Sequence, residues 1–118
     1  MSPIPFATSS AQIEDGIRVI AVQGELDLST APGLEEPLEQ AVTPGDVSIL
    51  IDLTECEFID STGIALIVRA WQRLDGNGNR VVICSANDQV RRVLEVTGLE
   101  LSIPVHSNRE DALAVLRS

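Results

Sequence analysis

At 118 residues, 44% hydrophobic and 22% charged, the chain is long enough to bury one core and too apolar to stay disordered. A net charge of −10 argues against nucleic acid as the partner, because a phosphate backbone requires a cationic footprint. No apolar run approaches the length that crosses a bilayer, and "MSPIPFATSS" lacks the basic-then-apolar order of a signal peptide; no membrane partner and a cytoplasmic location are expected.

The charge is uneven. Residues 1–60 carry twelve acids and one arginine, and residues 61–118 carry six acids and seven arginines. There is no lysine. Cys56 and Cys84 form no metal or CxxC spacing and sit in apolar surroundings, which reads as two buried, inert thiols.

Residues 1–10 read as a loose lead, and 11–117 as a single domain. Ile17–Val22 is a strand, with Ala11–Ile13 a short partner across the hairpin signal Asp15-Gly16. After Gly24 the period becomes helical. Ser29 or Thr30 can cap, Pro32 suits a first turn, and Leu34, Leu38, Ala41 and Val42 share a face. Pro37 inside that segment predicts a late start or a bend. Val47–Leu53 is a buried central strand, followed by a short acidic connection. From Asp60 a helix places Ile64, Ile67, Val68, Trp71 and Leu74 on one stripe. "DGNGN" is a loop and Arg80–Ser85 a strand. Asn87 caps a helix to about Val96, with Gly98 as its stop; Ile103–His106 is a last strand and Asn108–Leu116 a terminal helix. Strands alternating with helices predict an α/β fold, a mostly parallel sheet faced by helices.

The chemistry centres on Asp60-Ser61-Thr62-Gly63, between the central strand and the next helix. A helix start favours an anion, but GxxxxGK[ST] and GxGxxG are both missing, so the group is weak as a nucleotide cradle. A nucleophilic serine would need GxSxG and a base; the one histidine, His106, is far along the chain. A phosphoacceptor aspartate in "ILIDLTE" would need a late lysine. The acids Asp52, Glu55, Glu57 and Asp60 read as a solvated run rather than a cation site. No catalytic residue, metal or cofactor is expected. Two roles stay open: Asp60 or Ser61 caps the helix, or the Ser61 hydroxyl accepts a phosphate.

"GELDLSTAP", "FIDSTGIALIV" and "VRRVLEVTGLE", in this order, resemble the STAS domains of bacterial anti-sigma factor antagonists over residues 11–117. The resemblance implies a mixed, mostly parallel sheet of about five strands faced by about four helices. It implies a non-enzymatic switch whose partners are an anti-sigma factor that is also a serine kinase, and a serine phosphatase. Ser61 is the implied phosphorylation position, with Thr62 as the alternative. Asp27 lies at the implied partner surface, and Ser29, Thr30, Asp60 and Gly63 are expected there too. The helical wheel adds Thr62, Leu66, Arg69 and Arg73 as a face opposite the core stripe and open to a partner. A second class is a STAS subunit without a sigma partner: part of a stress-sensing or lipid-transport assembly, or a nucleotide-binding module.

Overall fold

The computed structural model describes residues 4–118, running β1 (Ala7–Glu14), β2 (Ile17–Leu26), α1 (Ala31–Val42), β3 (Ser48–Ile59), α2 (Ser61–Gly76), β4 (Val81–Cys84), α3 (Asp88–Val96), β5 (Val105–His106) and α4 (Arg109–Arg117). A 3-10 turn at Leu99–Leu101 joins α3 to β5. The strands lie in the order β1-β2-β3-β4-β5; β1 is antiparallel to β2 and every other pair is parallel. This is the mixed, mostly parallel sheet that the sequence predicts.

Alternation along β3 divides the interior in two. Ile49, Ile51 and Leu53 point to one face, where α1, α2 and α3 close the larger core with Leu34, Ile67 and Leu94. Leu50 points to the other, where Ala112 and Leu113 of α4 cover Val19, Val82 and Cys84. Burial on both faces explains the nearly unbroken apolar run of β3, and each such side chain contributes about 1.5–3 kcal/mol.

Three boundaries differ from the sequence reading. Residues 7–10, expected in the loose lead, form the first half of β1, pairing Ala7 to Gln23 and Ser10 to Ile20. Ahead of them, Ile4–Phe6 crosses Gly24. That residue has φ +82°, and a Cβ there would lie 2.7 Å from the Ile4 carbonyl oxygen. The lead's remaining residues, 1–3, lie outside the described ones. Second, the acidic connection is strand: β3 continues to Ile59 because β2 is equally extended, pairing Gln23 with Glu55 and Leu26 with Ile59. Cys56 and Ile59 turn inward while Thr54, Glu55 and Phe58 face solvent. Glu57 is half-buried, its Oε1 accepting from the Ile4 amide at 3.2 Å. Asp52, expected in the same solvated run, is instead buried at 6% exposure because it lies within the part of β3 that is covered on both faces.

Third, Pro37 does not delay α1, which begins at Ala31. A proline leaves the carbonyl four residues earlier without its helical donor. Here that carbonyl is Gly33's, and the Thr8 hydroxyl of β1 donates to it at 3.3 Å. A neighbouring strand thus satisfies what the proline removes.

Gly24→Ala should lower unfolding free energy by about 2 kcal/mol, from the left-handed backbone and the clash with the lead together, measured by urea denaturation.

Candidate functional site

The site begins with a register. Leu26 and Ile59, the last residues of two parallel strands, lie side by side, and the Asp60 amide donates to the Leu26 carbonyl at 3.1 Å. The next residues, Asp27 and Asp60, therefore open adjacent loops at one end of the sheet.

Asp27 organises its own loop. Its Oδ1 accepts from the Ser29 hydroxyl at 2.7 Å, the Ser29 amide at 2.9 Å and the Thr30 amide at 3.2 Å. The Ser29 hydroxyl bond, ahead of the amides, holds the Asp27 carboxyl below its ordinary range. Thr30 occupies the position before α1, but its hydroxyl donates backwards to the Glu25 carbonyl at 2.8 Å and caps nothing. The expected Ser29 or Thr30 side-chain cap is absent, because both hydroxyls are engaged within the loop.

Asp60 caps α2. Its Oδ1 accepts from the Thr62 amide at 2.9 Å and the Gly63 amide at 3.4 Å. The cap thus belongs to Asp60 rather than Ser61. Ser61 becomes the first helical residue, exposed, with no hydrogen bond to its hydroxyl among the described residues, while Thr62 is half-buried. Gly63 lets the helix start sit directly on the paired strand ends: a Cβ there would lie 2.8 Å from Leu26 and 2.9 Å from Ile59.

Further along α2 the expected outward face needs correction. Leu66 is 5% exposed and lines the groove between α1 and α2 with Leu38, Val42 and Ala70. The wheel counted only the sheet as a neighbour; α1 packs on the flank and widens the buried arc. The outward line is Ser61, Ala65, Arg69 and Gln72. Arg73 is not free, its Nη1 donating to both Glu39 carboxylate oxygens at 2.7 and 2.9 Å. Both side chains are largely in water, so the pair is worth about 1 kcal/mol at most.

Two apolar residues beside the site escape the sequence reading. Leu28, within the Asp27 loop, is 75% exposed, and Phe58, two residues before Asp60, is 44% exposed. A leucine between an aspartate and two hydroxyls is the signal that could have revealed the first.

On the opposite face of the sheet a second polar cluster surrounds Asp52. Its Oδ1 accepts from the Thr54 amide and hydroxyl and from the Cys84 thiol, and its Oδ2 from Arg109 Nε at 2.9 Å and Nη2 at 2.7 Å. Burial would raise this carboxyl, but the Thr54, Arg109 and Cys84 bonds outweigh it and hold Asp52 below its ordinary value. Burial, reinforced by Asp52, pushes Cys84 up to about 12, so this thiol stays protonated as expected; burial likewise raises Cys56. Arg109 was not singled out from sequence, although a buried aspartate in a central strand demands a cation. Among the described residues no cluster of histidine, cysteine and carboxylates could hold a metal ion, and no helix is long and apolar enough to cross a membrane.

The family model of the STAS domain matches residues 8–112. The chain belongs to the STAS domain family. An anti-sigma-B factor antagonist of Staphylococcus aureus is 33% identical over 97 residues, 82% of this chain and 90% of the relative. The crystal structure of an anti-sigma factor antagonist from Mycobacterium paratuberculosis superposes with a TM-score of 0.88 at 28% identity, covering 97% of this chain and 96% of that one. The Bacillus cell fate determinant SpoIIAA in its phosphorylated form shares the fold, with a TM-score of 0.74 at 22% identity over 94% of this chain and all of that one. This STAS domain is a member of the anti-sigma factor antagonist family.

Asp52→Asn should lower stability at neutral pH by about 1–3 kcal/mol. A depressed folded-state carboxyl stabilises above the unfolded value, near pH 4, and that contribution is lost as pH falls through the folded value. The gap between wild type and variant should therefore narrow on acidification, followed by urea titrations across the acid range.

Proposed function

We propose that this STAS domain is an anti-sigma factor antagonist switched at Ser61. Unphosphorylated, it binds an anti-sigma factor that is also a serine kinase, and so frees a sigma factor in the cytoplasm. Phosphorylation of Ser61 by that kinase ends binding, and a serine phosphatase restores it. The observation that carries this reading is the division of labour at the start of α2: Asp60 takes the capping amides, leaving the Ser61 hydroxyl exposed and free for transfer. Thr62 is the poorer acceptor, being half-buried. The antagonists from Staphylococcus aureus and Mycobacterium paratuberculosis support the class of partner, and the phosphorylated SpoIIAA offers the precedent for the modification.

The electrostatics give the switch its sign. A phosphate adds about −2. Asp27 and Asp60 flank the position, and the nearest arginine along α2 is Arg69, about 12 Å further on at helical rise. The added charge thus finds no guanidinium within the first two turns of α2, and against a closely packed partner it must be buried beside two carboxylates. A cost of about 3 kcal/mol, ordinary for such a mismatch, is roughly a hundredfold in affinity. The helix need not move. The exposed Leu28, in the Asp27 loop that adjoins the start of α2, supplies apolar contact that the partner covers.

Ser61→Asp should weaken binding to the cognate anti-sigma factor at least tenfold, with thermal unfolding nearly unchanged; calorimetric titration reads both variants against wild type. Wild-type affinity in both Ser61→Asp and Ser61→Ala would end the model. Incubation with the kinase and ATP, followed by peptide mass mapping, should place phosphate on Ser61; phosphate found only away from Ser61 and Thr62 refutes it. Leu28→Ser should leave stability within about 0.5 kcal/mol by urea denaturation, yet weaken the complex roughly fivefold or more in the same calorimetric titration.

A further inference from the structure

The helix α4 spans nine residues and covers only part of its face of the sheet. Above its first turn lies a cavity of about 590 Å³, within the range that holds small organic ligands. Ala7, Ser9 and Ala21 contribute to its sheet side, and Asp52, Thr54 and Arg109 form a polar wall, with Glu55 also lining it. This is the opposite face of the sheet from α2, and nothing in the Ser61 switch uses it.

The wall is built around one guanidinium. Arg109 grips Asp52 Oδ2 with the Nε and Nη2 side of its fork. Asp52, with a side chain only 8% exposed, is itself held by Thr54 and Cys84. The arginine is therefore immobilised at one edge, while its Nη1 edge, which has no acceptor among the described residues, is left on a side chain about half in solvent. A planar guanidinium offers two such edges to carboxylates, and one already oriented loses little freedom on binding a second. The positive end of α4 lies at the same residue. Glu55 in the lining disfavours a doubly charged group such as a phosphate, so a single negative charge fits best. Alanines beside this fork suit an apolar body rather than a polar one.

We propose that this cavity binds an amphipathic organic monocarboxylate, its carboxylate on the open edge of Arg109 and its apolar body against Ala7 and Ala21. The site is independent of the switch reading, and a Ser61→Ala chain should bind the same ligand unchanged.

The probe is sodium octanoate, titrated into ¹⁵N-labelled full chain below its micelle concentration and followed by amide chemical shifts, with octylamine and octanol as charge controls. Octanoate should give saturable shifts at Ala21, Asp52, Thr54 and Arg109, and the two controls should give none at the same concentrations. Arg109→Gln should weaken octanoate at least tenfold. Because that variant also uncovers Asp52, Ala21→Leu provides a second reading: it intrudes on the surface that the apolar body would cover, removes neither member of the Asp52–Arg109 pair, and should also weaken octanoate at least tenfold. Absence of saturable octanoate shifts overturns the proposal. So does equal binding of octylamine or octanol, or octanoate affinity that Ala21→Leu leaves unchanged.

Discussion

Two parallel strands that end at the same level hand their following residues to the same place. In this chain the pairing of Leu26 with Ile59, closed by the Asp60 amide on the Leu26 carbonyl, is that constraint. The Asp27 loop, the capped start of α2 and the close seat of Gly63 all depend on it. A one-residue slip would turn Leu26 or Ile59 away from the core, where each is essentially fully buried. The site's geometry is thus secured by burial beneath it together with the Asp27 and Asp60 bonds within it. Of the hydroxyls there, those of Ser29 and Thr30 are engaged in the Asp27 loop, and that of Ser61 has no hydrogen bond among the described residues.

The order and type of every element were legible because the hydrophobic period changes cleanly from two to 3.6 and back. What failed were judgements that depend on neighbours. Strand β3 looked finished at Leu53 because its outward positions then become acidic, and only the partner strand β2 shows that pairing continues. The lead looked loose because Thr8, Ser9 and Ser10 carry no apolar alternation; as an edge strand exposed on most of its length, β1 needs none. Leu66 looked free because a helical wheel knows one packing direction, whereas α2 has two. In each case local pattern was read correctly and tertiary context decided the outcome.

The candidate site divides similarly. Asp27, Asp60, Ser61 and Gly63 stand together as their motifs imply, since those motifs lie directly at strand ends. The roles within the group were not legible: whether Asp60 or Ser61 supplies the cap is a matter of side-chain direction. The Asp52–Arg109 pair was beyond reach for a different reason. Its members are separated by 57 positions, and nothing local distinguishes Arg109 from the other seven arginines.

That separation has a consequence during synthesis. A ribosome makes Asp52 long before Arg109, and every strand and helix of the larger core precedes α4 in the chain. The nascent domain can therefore close one side of its sheet while the other side is bare, with a carboxylate sitting on it uncompensated. Until the last helix docks, that aspartate keeps the exposed face wet and unattractive to other unfinished chains. A residue that serves as half of an ion pair in the finished molecule thus stands, before α4 docks, as a charge on an otherwise apolar face, the pattern by which gatekeeper residues disfavour aggregation.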